Sequence, residues 1–191
     1  LTQSPHLEGF RAKGVEVLLL SDHVDEFWLQ HITEFDGKPL KSITRGAADL
    51  DAIDADDSTP EDEKPEETDL STLIAAIKAE LGDAVKDVRP SKRLTDSPVC
   101  LIADDGDMDV NLERLLKRHG QLQHGMPRVL ELNPTHAVIT KLAARAADGN
   151  DPLLQDAAHL LLDQARIVEG ETPNDPAAYA RRLATVLERA L

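Results

Sequence analysis

Serine and carboxylate residues follow an apolar run near the amino terminus. Residues 15–20 read VEVLLL, and Ser21, Asp22 and Asp25 come after them. A buried strand that ends in carboxylates can form a metal or phosphoryl-transfer site, in which Asp22 would accept the phosphoryl group. The first question that the sequence raises is whether these residues form an active site.

The same residue types also suit the start of a helix. Ser21 or Asp22 can cap a helix that follows the run, and Asp25 and Glu26 then lie at the positive end of its dipole. Each such contact contributes about 0.3–2 kcal/mol, which explains the residue types without catalysis. The next predicted strand, residues 38–44, supplies no acidic cluster to complete a catalytic site. We therefore predict a structural role, and a small phosphoryl-transfer enzyme using Asp22 is the rival hypothesis.

The spacing of other residues argues against a metal, nucleotide or nucleic-acid site. His119 and His124 are five residues apart, without Cys or carboxylates beside them at zinc-ligand spacing. The chain contains neither G-x-x-x-x-G-K-(S/T) nor G-x-G-x-x-G. The basic residues Arg89, Lys92 and Arg93 have no interleaved aromatic side chains, which favours a solvated loop. We predict no catalytic residue, no metal and no bound cofactor in this chain.

The composition favours a cytoplasmic protein that avoids membranes and nucleic acid. No apolar run approaches the roughly 18 residues of a membrane span, and no signal-peptide pattern is present. The single cysteine, Cys100, excludes an internal disulfide and suits a reducing compartment. The net charge of −15 repels nucleic acid and anionic lipid. Because the chain begins at Leu1 without an initiator Met, we expect it to be part of a longer protein.

An acidic tract divides the chain into two pieces. Residues 49–69 hold eleven acids and one base, a charge of −10, which leaves −5 of the total −15 for the rest. The tract has two prolines and no aromatic residue, so it cannot offset an ordering entropy of about 1–2 kcal/mol per residue. We predict a linker over residues 49–67, between an N-terminal piece of residues 1–48 and a domain of residues 68–191. A regulated or ion-binding acidic segment is the alternative.

The N-terminal piece is predicted to alternate helices and strands. A first helix is capped by Ser4 and stopped by Gly14. The apolar run at residues 15–20 has the length of a buried strand, and residues 24–37 follow with helical spacing. Residues 38–44 would form a second strand. This order predicts a small α/β layer, the end of a larger middle domain.

The second piece is predicted to be an α+β domain. Apolar residues recur at helical spacing from Leu70 to Leu81, and short strands are expected at residues 85–88, 99–103 and 128–132. Three Asn–Pro or Asp–Pro pairs place a capping residue before a proline at the first helical position. They predict helices that begin at Asn133–Pro134, Asp151–Pro152 and Asp175–Pro176.

An amphipathic helix between the last two strands has an apolar stripe. An ordinary helix would pack such a stripe into its own core, as periodicity alone suggests. The alternative is an exposed stripe of adaptable side chains that receives apolar segments of another protein. The stripe consists of Met108, Leu112, Leu115 and Leu116.

The final two predicted helices have apolar faces broader than one helix–helix contact requires. Burial of about ten such side chains at ~1.5–3 kcal/mol each would stabilise a dimer even after the cost of association. We predict a homodimer, with folding of these helices against their own chain as the alternative. The predicted interface residues are Leu154, Ala158, Leu161, Leu162, Ala165, Val168, Tyr179, Leu183, Val186, Leu187 and Ala190.

Several long stretches resemble the 90-kilodalton heat-shock chaperones, and most of all the bacterial members of that family. SPHLEGFRAKGVEVLLLSDHVDEFWLQHITEFDGKPLKSIT is similar to the end of their middle segment. VKDVRPSKRLTDSPVCLI, NLERLLKRHG and ELNPTHAVI are similar to their C-terminal domain, in the same order. The resemblance implies the C-terminal part of a homodimeric, ATP-driven chaperone that binds unfolded or partly folded client proteins in the stress response.

The resemblance also implies where ATP and partners bind. ATP and magnesium would occupy an N-terminal domain that this chain lacks, so the full-length parent would be a slow ATPase and this chain would not. Dimerisation would pass through the last two helices, as an intermolecular four-helix bundle. Client proteins would contact the Met108 helix, and also Glu26, Phe27 and Gln30. The terminal sequence LERAL lacks the acidic motif that recruits helical-repeat cochaperones, so no such partner is expected.

The expected fold is therefore α+β: a small α/β layer, an acidic linker, and an α+β dimerisation domain that ends in a helical hairpin. Besides the phosphoryl-transfer enzyme, a plain oligomerisation scaffold without a client surface is a further rival to the chaperone.

Overall fold

The computed structural model combines helices with two small sheets, which confirms the predicted mixture of helix and sheet. It describes residues 3–20, 22, 24–29, 31–46, 50, 68–122, 125–149 and 151–190, with residues 26 and 190 as backbone only. The predicted acidic linker, apart from Leu50, lies outside the described residues. None of the helices in the described ranges is long and apolar enough to cross a membrane.

A short helix opens the described chain, as predicted. A single 3₁₀ turn, Pro5–Leu7, continues into α1 (Glu8–Ala12). Ser4 caps this turn, because its Oγ accepts a hydrogen bond from the His6 amide at 3.4 Å. Gly14 follows the helix with a φ of +67°, a backbone conformation that favours glycine.

The strand predicted at residues 15–20 is wrong, and so is the α/β layer that depended on it. The segment has no regular structure, and Leu18 is 78% exposed beside the exposed Leu19 and Leu20. A strand forms only where a neighbouring backbone supplies hydrogen-bond partners. Within the described ranges, the two sheets are built from other segments. An apolar run of strand length therefore does not define a strand by itself.

The long helix predicted after this run is also wrong, since α2 covers only Asp25–Trp28. Asp36 and Gly37, with φ of +51° and +71°, turn the chain into an antiparallel hairpin. Its strands are β1 (Glu34–Phe35) and β2 (Lys38–Pro39), so only the start of the second predicted strand is present. An Asp-Gly pair is a strong hairpin signal, and it overrides the helical spacing of the apolar residues.

A three-stranded sheet forms the centre of the second domain. β5 (Val129–Leu132) lies in the middle, parallel to β3 (Asp87–Pro90) and antiparallel to β4 (Val99–Ile102). Every residue of β4 and β5 is buried, which is typical of strands that are covered on both faces. All three predicted strands are confirmed, although the first begins two residues later than expected.

Five helices complete the described part of this domain. Asp151 and Asp175 begin the last two of them as predicted, each accepting a hydrogen bond from a first-turn amide at 2.9 Å. The helices are α3 (Ser71–Leu81), α4 (Val110–Arg118), α5 (Ala137–Ala147), α6 (Pro152–Val168) and α7 (Pro176–Ala190).

The helix start predicted at Asn133–Pro134 is wrong, because α5 begins after His136. His136 Nδ1 accepts the cap hydrogen bond from the Val138 amide at 3.1 Å. Asn133 is fully buried, and its side chain donates to the Ser97 carbonyl at 3.0 Å. The residue therefore joins the end of β5 to the loop before β4.

The core lies between the sheet and helices α3, α5 and α6. Leu73 and Ile77 of α3, Ile139 of α5 and Leu161 of α6 belong to one buried cluster with Leu130 of β5. Helix α7 supplies no residue to this cluster within the described ranges. This main core cluster of the domain is therefore formed without described residues of α7.

The N-terminal helix is docked on the second domain by a carboxylate. Glu8 accepts hydrogen bonds from the amides of Thr95 and Asp96 at 2.8 Å and of Ser97 at 3.1 Å. Burial acts to raise the pKa of Glu8, but the Ser97 hydroxyl and these amides outweigh burial and hold the pKa below its usual value. The helix is therefore fixed to the loop between β3 and β4.

Buried Arg93 joins the two parts of the chain at the same place. Its guanidinium donates to Glu131 at 2.9 Å and to the backbone carbonyls of Ile43 and Gly46. The Gly9 amide donates to the Arg93 carbonyl at 2.7 Å, and a Cβ at Gly9 would lie 2.7 Å from that oxygen. Only glycine fits this contact.

Candidate functional site

The residues of α6 that were predicted to form a dimer interface lie mostly in the chain's own core. Leu161 is 4% exposed, and Ala158, Leu162 and Ala165 are similarly buried. Leu154 is partly buried against the same cluster. These side chains pack toward the sheet and α3, so a second copy could not reach them in this arrangement.

Helix α7 presents the other predicted interface residues differently. Leu183 and Leu187 are 38% and 51% exposed, whereas Tyr179 and Val186 are half-buried. Val168, in the last turn of α6, is exposed as well. The side chain of the remaining predicted residue, Ala190, lies outside the described residues. The exposed apolar area of the hairpin therefore belongs to α7 and the last turn of α6, a surface that we call the α7 face.

Helix α4 carries the stripe that was predicted as core or client surface. Asp109 caps it, accepting from the Asn111 amide at 2.9 Å and from the Thr44 hydroxyl at 2.8 Å. Leu115 is buried, so its side chain lies on the side of α4 that faces the rest of the chain. The other three residues of the stripe are half-buried, so each keeps a part that another molecule could contact; they are Met108, Leu112 and Leu116.

The charged side of α4 contacts the start of β5 and the turn between α6 and α7. Glu113 is buried and pairs with Lys117 at 2.7 Å and with Arg128 at 3.6 Å. Arg114 donates to Glu169 at 2.6 Å. These ion pairs tie α4 to the end of the α6 helix.

Glu169 also binds the N-terminal helix. Its Oε1 lies 2.7 Å from the Nε2 of His6, and both side chains are buried. Burial acts to raise the pKa of Glu169, but the hydrogen bonds and charges of His6 and Arg114 outweigh it and hold the pKa below its usual value. One carboxylate therefore joins three elements of the fold.

The predicted contacts in the N-terminal piece are only partly described. Phe27 is exposed on α2, next to the half-buried Trp28, whose indole donates to Asp25 at 2.9 Å. The side chains of Glu26 and Gln30 lie outside the described residues. Phe27 is thus the one predicted contact of this piece whose exposure is established.

Asp22 takes part in a local turn and does not cap α2 as predicted. It accepts from the Val24 amide at 3.2 Å, and its own amide donates to Asp25 at 3.0 Å. Val24 occupies the cap position of α2 without a side-chain bond, and Ser21 lies outside the described residues. In the described ranges, no three His, Cys, Asp or Glu side chains converge to hold a metal.

No pattern in the sequence indicates the ion pairs around Glu169. His6 and Glu169 are 163 residues apart in the chain. Neither residue belongs to a motif, and both read as ordinary surface residues of a helix end. Only the three-dimensional packing of the N-terminal helix on the hairpin turn brings them together.

Comparison with known proteins gives a consistent result along the whole chain. The family model described as Hsp90 protein matches residues 1–191. The "Chaperone protein HtpG" of Roseobacter denitrificans is 73% identical over 198 residues, covering 100% of this chain and 31% of the relative. The proteins of the same name from Paramagnetospirillum magneticum and Rhodospirillum rubrum are 52% and 49% identical, with the same coverage. The chain spans about a third of the length of these curated relatives (31%), and it belongs to the Hsp90 family.

Proposed function

We propose that this chain is the dimerisation and client-contact region of an ATP-dependent molecular chaperone that acts in the cytoplasm. The main support for the proposal is the exposed apolar α7 face. The core of this domain does not bury these side chains, and an exposed apolar surface of this kind is typical of an interaction site. Membership of the Hsp90 family and the names of the relatives support the chaperone role.

The proposed dimer forms through the α7 faces of two copies. Leu183, Leu187 and Val168 are exposed there, and the half-buried Tyr179 and Val186 extend the surface. Burial of each large apolar side chain contributes about 1.5–3 kcal/mol, and a two-fold interface counts each residue twice. Because these side chains are already about half-buried in the single chain, the gain is about half of that sum, which is comparable with a mid-range association cost of roughly 10 kcal/mol. The buried residues of α6 support this interface from behind.

The proposed client surface lies on α2, on α4 and at Met108, two residues before α4. Met108, Leu112 and Leu116 each expose part of an unbranched or flexible apolar side chain, and Phe27 adds an aromatic ring. Such side chains adapt to varied apolar segments, which suits a protein that binds unfolded partners. Leu115 holds the helix in place from below.

ATP and magnesium would act in the parent protein outside this region, and we assign no catalytic residue here. The mechanism that we propose for this region is mechanical. Stable association at one end keeps two arms at a high effective concentration, so that closure at the other end becomes nearly intramolecular.

An aggregation assay tests the client surface. We expect the triple variant Met108→Ser/Leu112→Ser/Leu116→Ser to suppress aggregation of an unfolded client less well than the unchanged chain. Val138→Ser is the matched control, because Val138 is an exposed apolar residue on α5 outside both proposed surfaces. Equal suppression by all three chains would favour a plain oligomerisation scaffold.

A further inference from the structure

A cavity of about 260 Å³ lies between α4, the residues before β5 and the turn between α6 and α7, and we call it the charged cavity. Leu101, Met126 and Leu162 form apolar parts of its wall. Its charged lining residues are three cations and three acids, so their formal charges sum to zero: Lys117, Arg128, Arg166, Asp83, Glu113 and Glu171. Because the charges balance, the wall as a whole favours neither a simple anion nor a simple cation.

Two of the charged lining residues are buried and lack hydrogen bonds. Arg128 is 7% exposed, and its Nη1 has no hydrogen-bond partner among the described residues. Glu113 is 2% exposed, and its Oε1 accepts no hydrogen bond from a described residue, although the Nζ of Lys117 lies 2.7 Å away. Buried polar atoms without hydrogen bonds raise the free energy of the fold. A ligand that accepts from Arg128 and donates to Glu113 would remove this cost.

The guanidinium of Arg128 and the carboxylate of Glu113 lie close together without bonding to each other. Nη2 of Arg128 is 3.6 Å from Oε1 of Glu113, which is too long for a hydrogen bond, and it donates to Glu171 at 2.9 Å instead. Two opposite charges at such a short separation match a molecule that carries a carboxylate and an ammonium on one carbon atom. Each of its charged groups would then form charge-assisted hydrogen bonds, which are the strong ones.

Gly125 leaves the space beside this pair free of a side chain. A Cβ at position 125 would clash with the Nζ of Lys117 and would lie 2.9 Å from Oε1 of Glu113. A larger residue at this position would therefore displace these charged groups and fill part of the charged cavity. The close approach of the backbone requires glycine here.

We propose that the charged cavity binds a free α-amino acid with a small apolar side chain. The carboxylate of the ligand accepts from Arg128, its ammonium donates to Glu113, and its side chain contacts Leu101 and Leu162. The volume of about 260 Å³ is just below the roughly 300 Å³ at which pockets for drug-sized molecules begin, so the ligand is small. None of the described lining residues belongs to the α7 face or to the proposed client surface, so this site goes beyond the proposed function.

Three small molecules with the same branched hydrocarbon group separate the roles of the two ligand charges. L-valine carries both charges, isobutylamine has only the ammonium, and isovalerate has only the carboxylate. In ligand-observed NMR titrations of the unchanged chain, we expect L-valine to bind with a dissociation constant of about 1 mM. Isobutylamine and isovalerate should each bind at least about tenfold more weakly, because each lacks one set of charge-assisted hydrogen bonds. Equal affinities for the three molecules, or no saturable binding of L-valine, would overturn the inference.

Variants of the two buried residues test which group binds which charge. In Arg128→Gln, L-valine should bind no more tightly than isobutylamine, because the partner of the carboxylate is gone. In Glu113→Gln, L-valine should bind no more tightly than isovalerate. The matched controls are Arg145→Gln and Glu16→Gln, which remove the same charges from exposed positions outside the cavity and should keep the preference for L-valine. A preference that survives in both test variants, or is lost in the controls, would overturn the inference.

A variant that keeps every charge applies if Arg128→Gln or Glu113→Gln does not fold. We expect Gly125→Ala to weaken binding of L-valine, because the added methyl group displaces Lys117 and Glu113. Unchanged affinity in a folded Gly125→Ala chain would contradict the site. In the unchanged chain, saturation with L-valine should also shift the amide signals of Leu101, Met126 and Leu162. Shifts confined to residues outside the charged cavity would overturn the inference.

Discussion

Helices α6 and α7 are adjacent arms of one hairpin, yet they use their apolar residues in opposite ways. Leu161 of α6 is part of the domain core, whereas Leu187 of α7 is half in solvent. Both helices have the apolar spacing of an amphipathic helix with a broad apolar face, so the sequence pattern does not distinguish them. Periodicity therefore identifies an apolar face of a helix, but it does not identify which element or partner covers that face.

The position of each helix in the fold explains the contrast. Helix α6 packs on β4 and α3, and its small residues Ala158 and Ala165 allow a close approach. Helix α7 packs chiefly on α6, with an ion pair between Arg182 and Asp156 at 3.6 Å. Among the described elements, none besides α6 packs extensively on α7, so its exposed apolar side chains stay in contact with solvent. We propose that a second copy of the chain buries them.

The same substitution on each helix should separate the two roles, with the largest effect on α6. We expect Leu161→Asp to lower the free energy of unfolding by about 4 kcal/mol or more, because it buries an unpaired charge in the core. Urea denaturation followed by circular dichroism measures this change. A normally folded Leu161→Asp chain that has only lost its dimer would show that α6, too, serves mainly as an interface.

The matching substitution on α7, Leu187→Asp, should weaken dimer association without lowering the stability of the monomer. We expect Leu187→Asp to raise the dimer dissociation constant by a factor of about 100 or more, because the charge enters the interface from both copies. Light scattering across a dilution series measures the constant. The thermal midpoint of the resulting monomer should change little, and the Leu161→Asp chain serves as the comparison. A large loss of monomer stability would place Leu187 in the core.

Helix α4 repeats the contrast between buried and exposed leucines on neighbouring positions. We expect Leu115→Ser to cost about 2–4 kcal/mol of unfolding free energy, because it leaves a cavity and a buried hydroxyl. Leu116→Ser should cost much less and weaken suppression of client aggregation. Thermal unfolding and the aggregation assay on both variants check this difference. Equal losses of stability would mean that the two leucines are both core residues.

The smallest effect is expected from the charge that anchors the end of α6. Because the pKa of Glu169 is lower in the folded chain, its carboxylate stabilises the fold above the unfolded pKa, and this contribution is lost as pH falls through the lowered pKa. We expect Glu169→Gln to cost about 1.5 kcal/mol at neutral pH and nothing below that pKa. Urea titrations from neutral to acidic pH measure the difference. Glu188→Gln, which removes one exposed carboxylate from α7, is the matched control and should cost less than Glu169→Gln at neutral pH.

The elements with local signals were predictable from the sequence. Asp151 and Asp175, each before a proline, correctly predicted the starts of α6 and α7, and the apolar runs of the second domain predicted its strands to within two residues. The family resemblance is confirmed along the whole chain. These features depend on a few consecutive residues, which is why a single sequence contains them.

The features that depend on distant partners were not predictable. Residues 15–20 look like a strand, but a strand exists only beside another backbone. Asn133 looks like a helix cap, but its side chain bonds to Ser97 in another loop. The burial of Leu161, and the pairing of His6 with a carboxylate at the far end of the chain, follow from packing alone. The proposed dimer residues were therefore identified as apolar, but not sorted into core and surface.

The central claim is that the apolar α7 face is covered by a second copy of the chain. Sedimentation equilibrium from micromolar to nanomolar concentration tests it most directly. We expect a species of twice the 20.9 kDa of one chain at micromolar concentration, which dissociates on dilution. A mass of 20.9 kDa at every concentration would contradict it.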